Sequence, residues 1–303
     1  MIRQTMKGRH PSWLRTLAVV PIVGTLILLL SVSFGAAQPY AMPQADLTPM
    51  SFSYLPLVAA APGCPATSPN EYASGTAFQY DTDDPVRPAR LHADKNIELR
   101  GYTPNTDPSL VKALVDYGCD DPDAPQLASL QSPHRVPPLA RFYRVNHWEW
   151  HDSPDPGVRA EPIIDYPVTA LGLGTTPGQT LHVPYSGYSI GGGMEVLVLF
   201  ADRDTITLRY TRDDSAAPAG YTLHIDNICT DPNLLALYEQ LDDPEGPRYD
   251  YPSDAYALPT LYAGQPVGVA RGDEAVIAIA DAGTFQDPRS LNEFWRYRPG
   301  YPE

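Results

Sequence analysis

The chain has 303 residues, 36 Asp and Glu against 21 Lys and Arg, and a formal net charge of −15. So acidic a chain excludes nucleic-acid binding, which needs a basic face, and docking on anionic lipid. Hydrophobic residues make up 43% and allow a sizeable core, while 34 prolines, about twice the usual share of roughly 5%, argue for a loop-rich β protein rather than a helical bundle.

Residues 1–16 carry Arg3, Lys7, Arg9 and Arg15 and no acid, and Leu17–Gly35 is uncharged and apolar. Gly35-Ala36-Ala37 places small residues at the −3 and −1 positions of a cut before Gln38. This predicts residues 1–37 as a signal peptide or an uncleaved N-terminal membrane anchor, with the rest exported. Without the four leader cations the remaining charge is about −19. Residues 38–89 are rich in Pro, Ala and Ser and read as a linker. A globular, mainly-β domain is expected over 90–303, with a helical and aromatic part over 90–165 and a β core over 166–303.

Asp107-Pro108 opens a predicted helix that closes at Gly118, with Asp107 as N-cap and Leu110, Val111, Leu114 and Val115 on one apolar face. A second short helix is expected over 124–130, followed by an aromatic strand over 141–150. Four strands then follow at Thr180–Pro184, Met194–Phe200, Thr205–Thr211 and Tyr221–Asp226, rich in Val, Ile, Leu, Thr or Tyr and bounded by turn residues. Consecutive antiparallel pairing is expected, with Gly191-Gly192-Gly193 and Asp202-Arg203-Asp204 as turns. Asp231-Pro232 opens a capped helix to Leu241, 248–258 reads as loop, 267–270 and 275–280 as the last strands, and 287–295 as a closing helix. The expected fold is mainly β with a few short helices, around an antiparallel core resembling a barrel-sandwich.

The three cysteines are Cys64, Cys119 and Cys229. An exported chain can keep one disulfide. Cys119 and Cys229 sit beside predicted elements and Cys64 lies in the linker, which favours Cys119–Cys229, with Cys64–Cys119 as the rival. No CxxC pair supports a cysteine–zinc site. The glycines fit no phosphate-loop pattern, and Ser186 and Ser189 stand in no G-x-S-x-G context. Acidic loops at 81–84, 120–123 and 242–245 lack the alternating ligands and central Gly of a helix–loop–helix calcium site, so they read as solvated surface. Polar clusters at 92–96 and 284–290 read as structural rather than as the lining of a cleft.

Gly220-Tyr-Thr-Leu-His-Ile-Asp226 resembles the G-P-H-L-H-F-E strand of lysostaphin-type (LytM-like) cell-wall metallopeptidases. His224 falls on that family's zinc-ligand histidine, and His151 and Asp155 match its H-x-x-x-D pair. Residues 177–187 resemble its strand entering the β core, and 263–268 its G-Q-x-x-G turn. The resemblance implies a zinc site of His151, Asp155 and His224 and peptidoglycan hydrolysis. Thr222 stands where the family has the histidine that acts on the metal-bound water. With the catalytic set incomplete, no catalytic residue and no cofactor are assigned, and zinc hydrolysis is the alternative.

The mature chain is rich in Tyr and Trp, among them Tyr143, Trp148, Trp150, Tyr185, Tyr188, Tyr249, Tyr251, Tyr256 and Tyr262 in or near predicted loops and strand ends. Such side chains combine an apolar face with a polar edge, which suits protein interfaces and sugar stacking. The function expected from sequence is an exported, non-enzymatic β module that binds cell-envelope glycan or a surface partner and meets the membrane only through its N-terminal segment.

Overall fold

The computed structural model describes residues 63–78, 88–117, 121–152, 156–211, 220–241 and 255–296. In chain order these form β1 (Ala73–Phe78), α1 (Ile97–Arg100), β2 (Tyr102–Pro104), β3 (Leu139–Glu149), β4 (Val158–Pro162), β5 (Ala170–Gly174), β6 (Thr180–His182) and β7 (Val196–Ala201). Then come β8 (Thr205–Tyr210), β9 (Tyr221–Asp226), β10 (Ile228–Thr230), α2 (Pro232–Leu241), β11 (Ala255–Leu261), β12 (Pro266–Ala270), β13 (Glu274–Asp281), β14 (Thr284–Phe285) and α3 (Leu291–Phe294). The fold is mainly β with short helices, as the sequence leads one to expect. Among the described residues no helix is long and apolar enough to cross a membrane.

The strands form two antiparallel sheets. The larger runs β1-β11-β7-β8-β9-β13-β5-β3-β2, with β14 beside β13 and β4 beside β3; the smaller runs β10-β12-β6. The larger sheet is not closed into a barrel, and the antiparallel core is built from two packed sheets. Consecutive pairing holds for β7, β8 and β9. It fails for Thr180–His182, which pairs with β12 in the smaller sheet. Leu181, Ile228 and Val267 of that sheet join Val198, Leu208, Leu223 and Ile277 of the larger one in a single core.

The run Val-Leu-Val-Leu-Phe-Ala of β7 is buried at every position. Val196, Val198 and Phe200 enter the main core, and Leu197 and Leu199 pack with Leu258 on the opposite face. A strand covered on both sides needs continuous apolar character rather than alternation. The second face is covered further along by α1 and β14, where Ile97 and Phe285 meet Tyr143, Val145, Val276 and Ala278.

Besides the pairing of β6, the end of the expected 248–258 loop belongs to β11, and the sequence and the structure part in three further places. First, residues 107–117 contain no helix: Asp107 caps only a turn, accepting from the N–H and hydroxyl of Ser109. The backbone groups a helix would use are taken by the C-terminal segment. Val115 donates to Arg289 O and accepts from Leu291 N–H, and Arg289 donates to Val111 O. Arg289 is itself buried in a bidentate pair with Asp287. Leu110 and Leu114 still pack on the core, but from a non-helical chain.

Second, Cys229 is bonded to Cys64, not to Cys119. Third, linker composition does not keep residues 64–78 off the domain. Ser68 and Asn70 donate to Asp231 Oδ2 at 2.5 and 2.7 Å, and Asn233 donates to the carbonyls of both. β1 then pairs along β11 over six positions. Asp231 also caps α2 through the N–H of Asn233 and Leu234, as its sequence position implies. The acidic loop at 81–84 and the cysteine at 119 lie outside the described residues.

Candidate functional site

β3 ends in a row of aromatic side chains. Trp148 lies near the end of β3 and Trp150 just past it. Trp148 is anchored: its Nε1 donates to Pro156 O at 2.6 Å, and the chain returns as β4 with Arg159 opposite it. Gly157 makes that return possible. Its φ is +98°, and a Cβ there would lie 2.2 Å from Glu149 O and 2.7 Å from Trp148 Nε1.

Trp150 is gripped by its neighbours' rings. The His92 ring meets it edge-on at 4.9 Å and Trp148 at 6.3 Å, while the indole stays 41% exposed. His92 is buried, and its Nδ1 accepts from the N–H of Asp94. The 92–96 cluster thus has a structural role beside the ledge. Asn96 caps α1 by accepting from Glu98 N–H, and Asp94 pairs with Arg100. Arg159 ties α1 to β4 by donating to the carbonyls of Glu98 and Leu99. The result is a large indole packed by two neighbouring rings with much of its surface open, which suits stacking against the apolar face of a sugar ring.

The other aromatic residues named from sequence divide. Tyr143 is buried and donates to Glu274 Oε1 at 3.0 Å. Tyr185 and Tyr188 are half-buried, Tyr262 is half-exposed, and Tyr249 and Tyr251 lie outside the described residues, as does the side chain of Tyr256.

The residues implied by the metallopeptidase resemblance occupy unlike environments. His224 is 1% exposed on β9, with its ring stacked at 5.8 Å on Phe285. Thr207 gives its hydroxyl hydrogen to Lys95 O at 2.6 Å, so the 3.0 Å contact with His224 is a bond from Nδ1–H to Thr207 Oγ1. Burial pulls the imidazole pKa down to about 3. His151 is exposed just past β3, and Asp155 lies outside the described residues. Thr222 receives a bond from Arg209 at 2.7 Å.

Among the described residues, the side chains that converge as possible cation ligands are Glu98, Asp202 and Asp204, with one oxygen of each within 4.8 Å of the others. Three carboxylate oxygens suit a hard divalent cation. Two of the three carboxylates already have partners. Asp202 accepts from the N–H of Asp204 and Thr205, and Asp204 pairs with Arg271 at 2.5 Å. Burial raises the Glu98 pKa, and Asp202, Asp204 and Asp226 add to the rise. In the sequence Asp202 and Asp204 read as turn residues, and no spacing links them to Glu98, about a hundred positions earlier.

No protein-family model, no curated protein and no solved structure matches the chain.

Proposed function

We propose that this chain is an exported, non-enzymatic binding module that engages cell-envelope glycan through the Trp148–Trp150 ledge. The observation that carries the reading is Trp150, packed by His92 and Trp148 and still 41% exposed. Fixing an aromatic ring before the ligand arrives lowers the entropic cost of stacking. Export is supported by the basic and apolar leader and by a disulfide of the kind that persists outside the reducing cytosol.

The test is a tryptophan-fluorescence titration of the mature chain with a soluble peptidoglycan digest and a soluble β-glucan. Saturable quenching by at least one is expected. Trp150→Ala should weaken it at least tenfold while leaving the thermal midpoint close to wild type. Absence of quenching by both, or undiminished affinity in the variant, would remove the ledge as the binding site.

A further inference from the structure

A second surface carries a separate inference. Where β5 leaves the large sheet, the turn 174–179 faces the loop 131–138 across a cleft of about 540 Å³. That size lies within the roughly 300–1,000 Å³ of small-molecule sites. The walls are braced. The Gln131 side chain is buried, donates to Gly174 O and accepts from Gln179 Nε2, both at 3.2 Å. Gln179 Oε1 in turn receives Thr176 N–H at 3.1 Å. Gly174 N–H donates to Pro138 O, and Gly178 N–H to Ala270 O. The cleft therefore keeps its shape without a ligand.

Its chemistry differs from that of the rest of the chain. The sequence holds 36 acids against 21 Lys and Arg, yet no carboxylate lines this cleft, and Arg135 is its one cation. Among the described residues no partner holds the Arg135 guanidinium or the hydroxyls of Ser132 and Thr176, while the Gln131 and Gln179 amides present fixed dipoles beside them. A guanidinium takes a carboxylate in a two-pronged bond, and neutral hydroxyls and amides match sugar hydroxyls. One cation within an acidic chain suits a monoanion better than a phosphate dianion.

We infer that the cleft between residues 131–138 and 174–179 binds a carboxylate-bearing saccharide of the uronate class, with Arg135 on the carboxylate and Thr176 and Ser132 on the hydroxyls. The site is independent of the Trp150 ledge. Pro138 precedes β3 and Trp150 follows it, and an eleven-residue strand spans roughly 35 Å, too far for one sugar to touch both.

The test is calorimetric titration of the mature chain at low salt with sodium D-glucuronate, D-glucose and sodium acetate. Glucuronate should bind at least tenfold more tightly than either of the others. Arg135→Gln should weaken glucuronate at least tenfold, Thr176→Val should narrow its margin over acetate, and Trp150→Ala should leave it unchanged. Arg135 and Thr176 are exposed, so neither change threatens the fold. Equal binding of glucose and glucuronate, equal binding of acetate and glucuronate, or an indifferent Arg135→Gln would each overturn the assignment. Loss of glucuronate binding in Trp150→Ala alone would transfer the ligand to the ledge and also overturn it.

Discussion

Cys64 is bonded to Cys229 across 165 residues of chain, joining an exposed residue ahead of β1 to a buried one in β10. The bond ends a strap that Ser68, Asn70 and β1 continue, through Asp231 and β11. In the chain-entropy view a loop of this length is worth about 5 kcal/mol. Cys64→Ser and Cys229→Ser should therefore lower the thermal midpoint by similar, large amounts without reductant. Cys119→Ser should leave it unchanged, and reductant should bring wild type down to the variants. Calorimetry of the three variants decides this; a drop in Cys119→Ser equal to that in Cys229→Ser would contradict the pairing.

Val198 is fully buried at the centre of β7, with Leu208 of β8 opposite it. Val198→Asp places an unpaired charge between two packed layers, at a cost of several kcal/mol, comparable with the whole stability of a domain. The expected result is a chain without cooperative unfolding. Leu197→Asp should do the same from the other face, because that face is covered too. A folded Leu197→Asp protein by circular dichroism would show that the second layer adds little.

Tyr221 Oη lies 2.8 Å from Glu293 Oε1 and 3.1 Å from Asp121 Oδ2 and has one hydrogen to give. Burial raises the Glu293 pKa above its ordinary 4.5; the Tyr221 bond opposes the rise, and Asp281 and Asp121 add to it. A raised carboxyl stabilises the fold fully below its unfolded value and loses that contribution as pH rises through the folded one. Glu293→Gln should match the wild-type midpoint near pH 4 and exceed it by a few degrees at pH 8. A thermal-melt series in pH checks the crossover, and a variant that melts lower at pH 8 would refute it.

His224 has the opposite sign. Its pKa falls from 6.5 to about 3, so its contribution is present above 6.5 and is lost as pH drops toward 3. His224→Ala leaves a cavity against Phe285 and should cost about 2–4 kcal/mol at pH 7. The gap should narrow at pH 4, where wild type holds an uncharged ring that the unfolded chain would protonate. Denaturant unfolding at the two pH values measures it. The same preparations test the metallopeptidase alternative. One equivalent of zinc bound by wild type and lost from the variant, with chelator-sensitive peptidoglycan cleavage, would favour the hydrolase over the binding module.

Local patterns settled much of the fold in advance. The strand Tyr221–Asp226 begins and ends where its sequence predicts, and β7, β8 and their Asp202–Asp204 turn follow the same rules, because apolar runs between turn residues act over a few positions. The Asp231-Pro232 cap is likewise local. Asp107-Pro108 offers the same signal and makes no helix, because Arg289, Ser290 and Leu291 supply other partners for that backbone. Composition marked residues 64–78 as linker, and only contact with Cys229, Asp231 and β11 made them part of the domain. The candidate sites divide in the same way. Trp148 and Trp150 are near neighbours in sequence and stand out as aromatic residues there, whereas the grip of His92 on Trp150 depends on the path of the chain ahead of α1. The cleft was not legible at all: its two walls are about forty residues apart, and no local pattern records which loops a sheet will bring together.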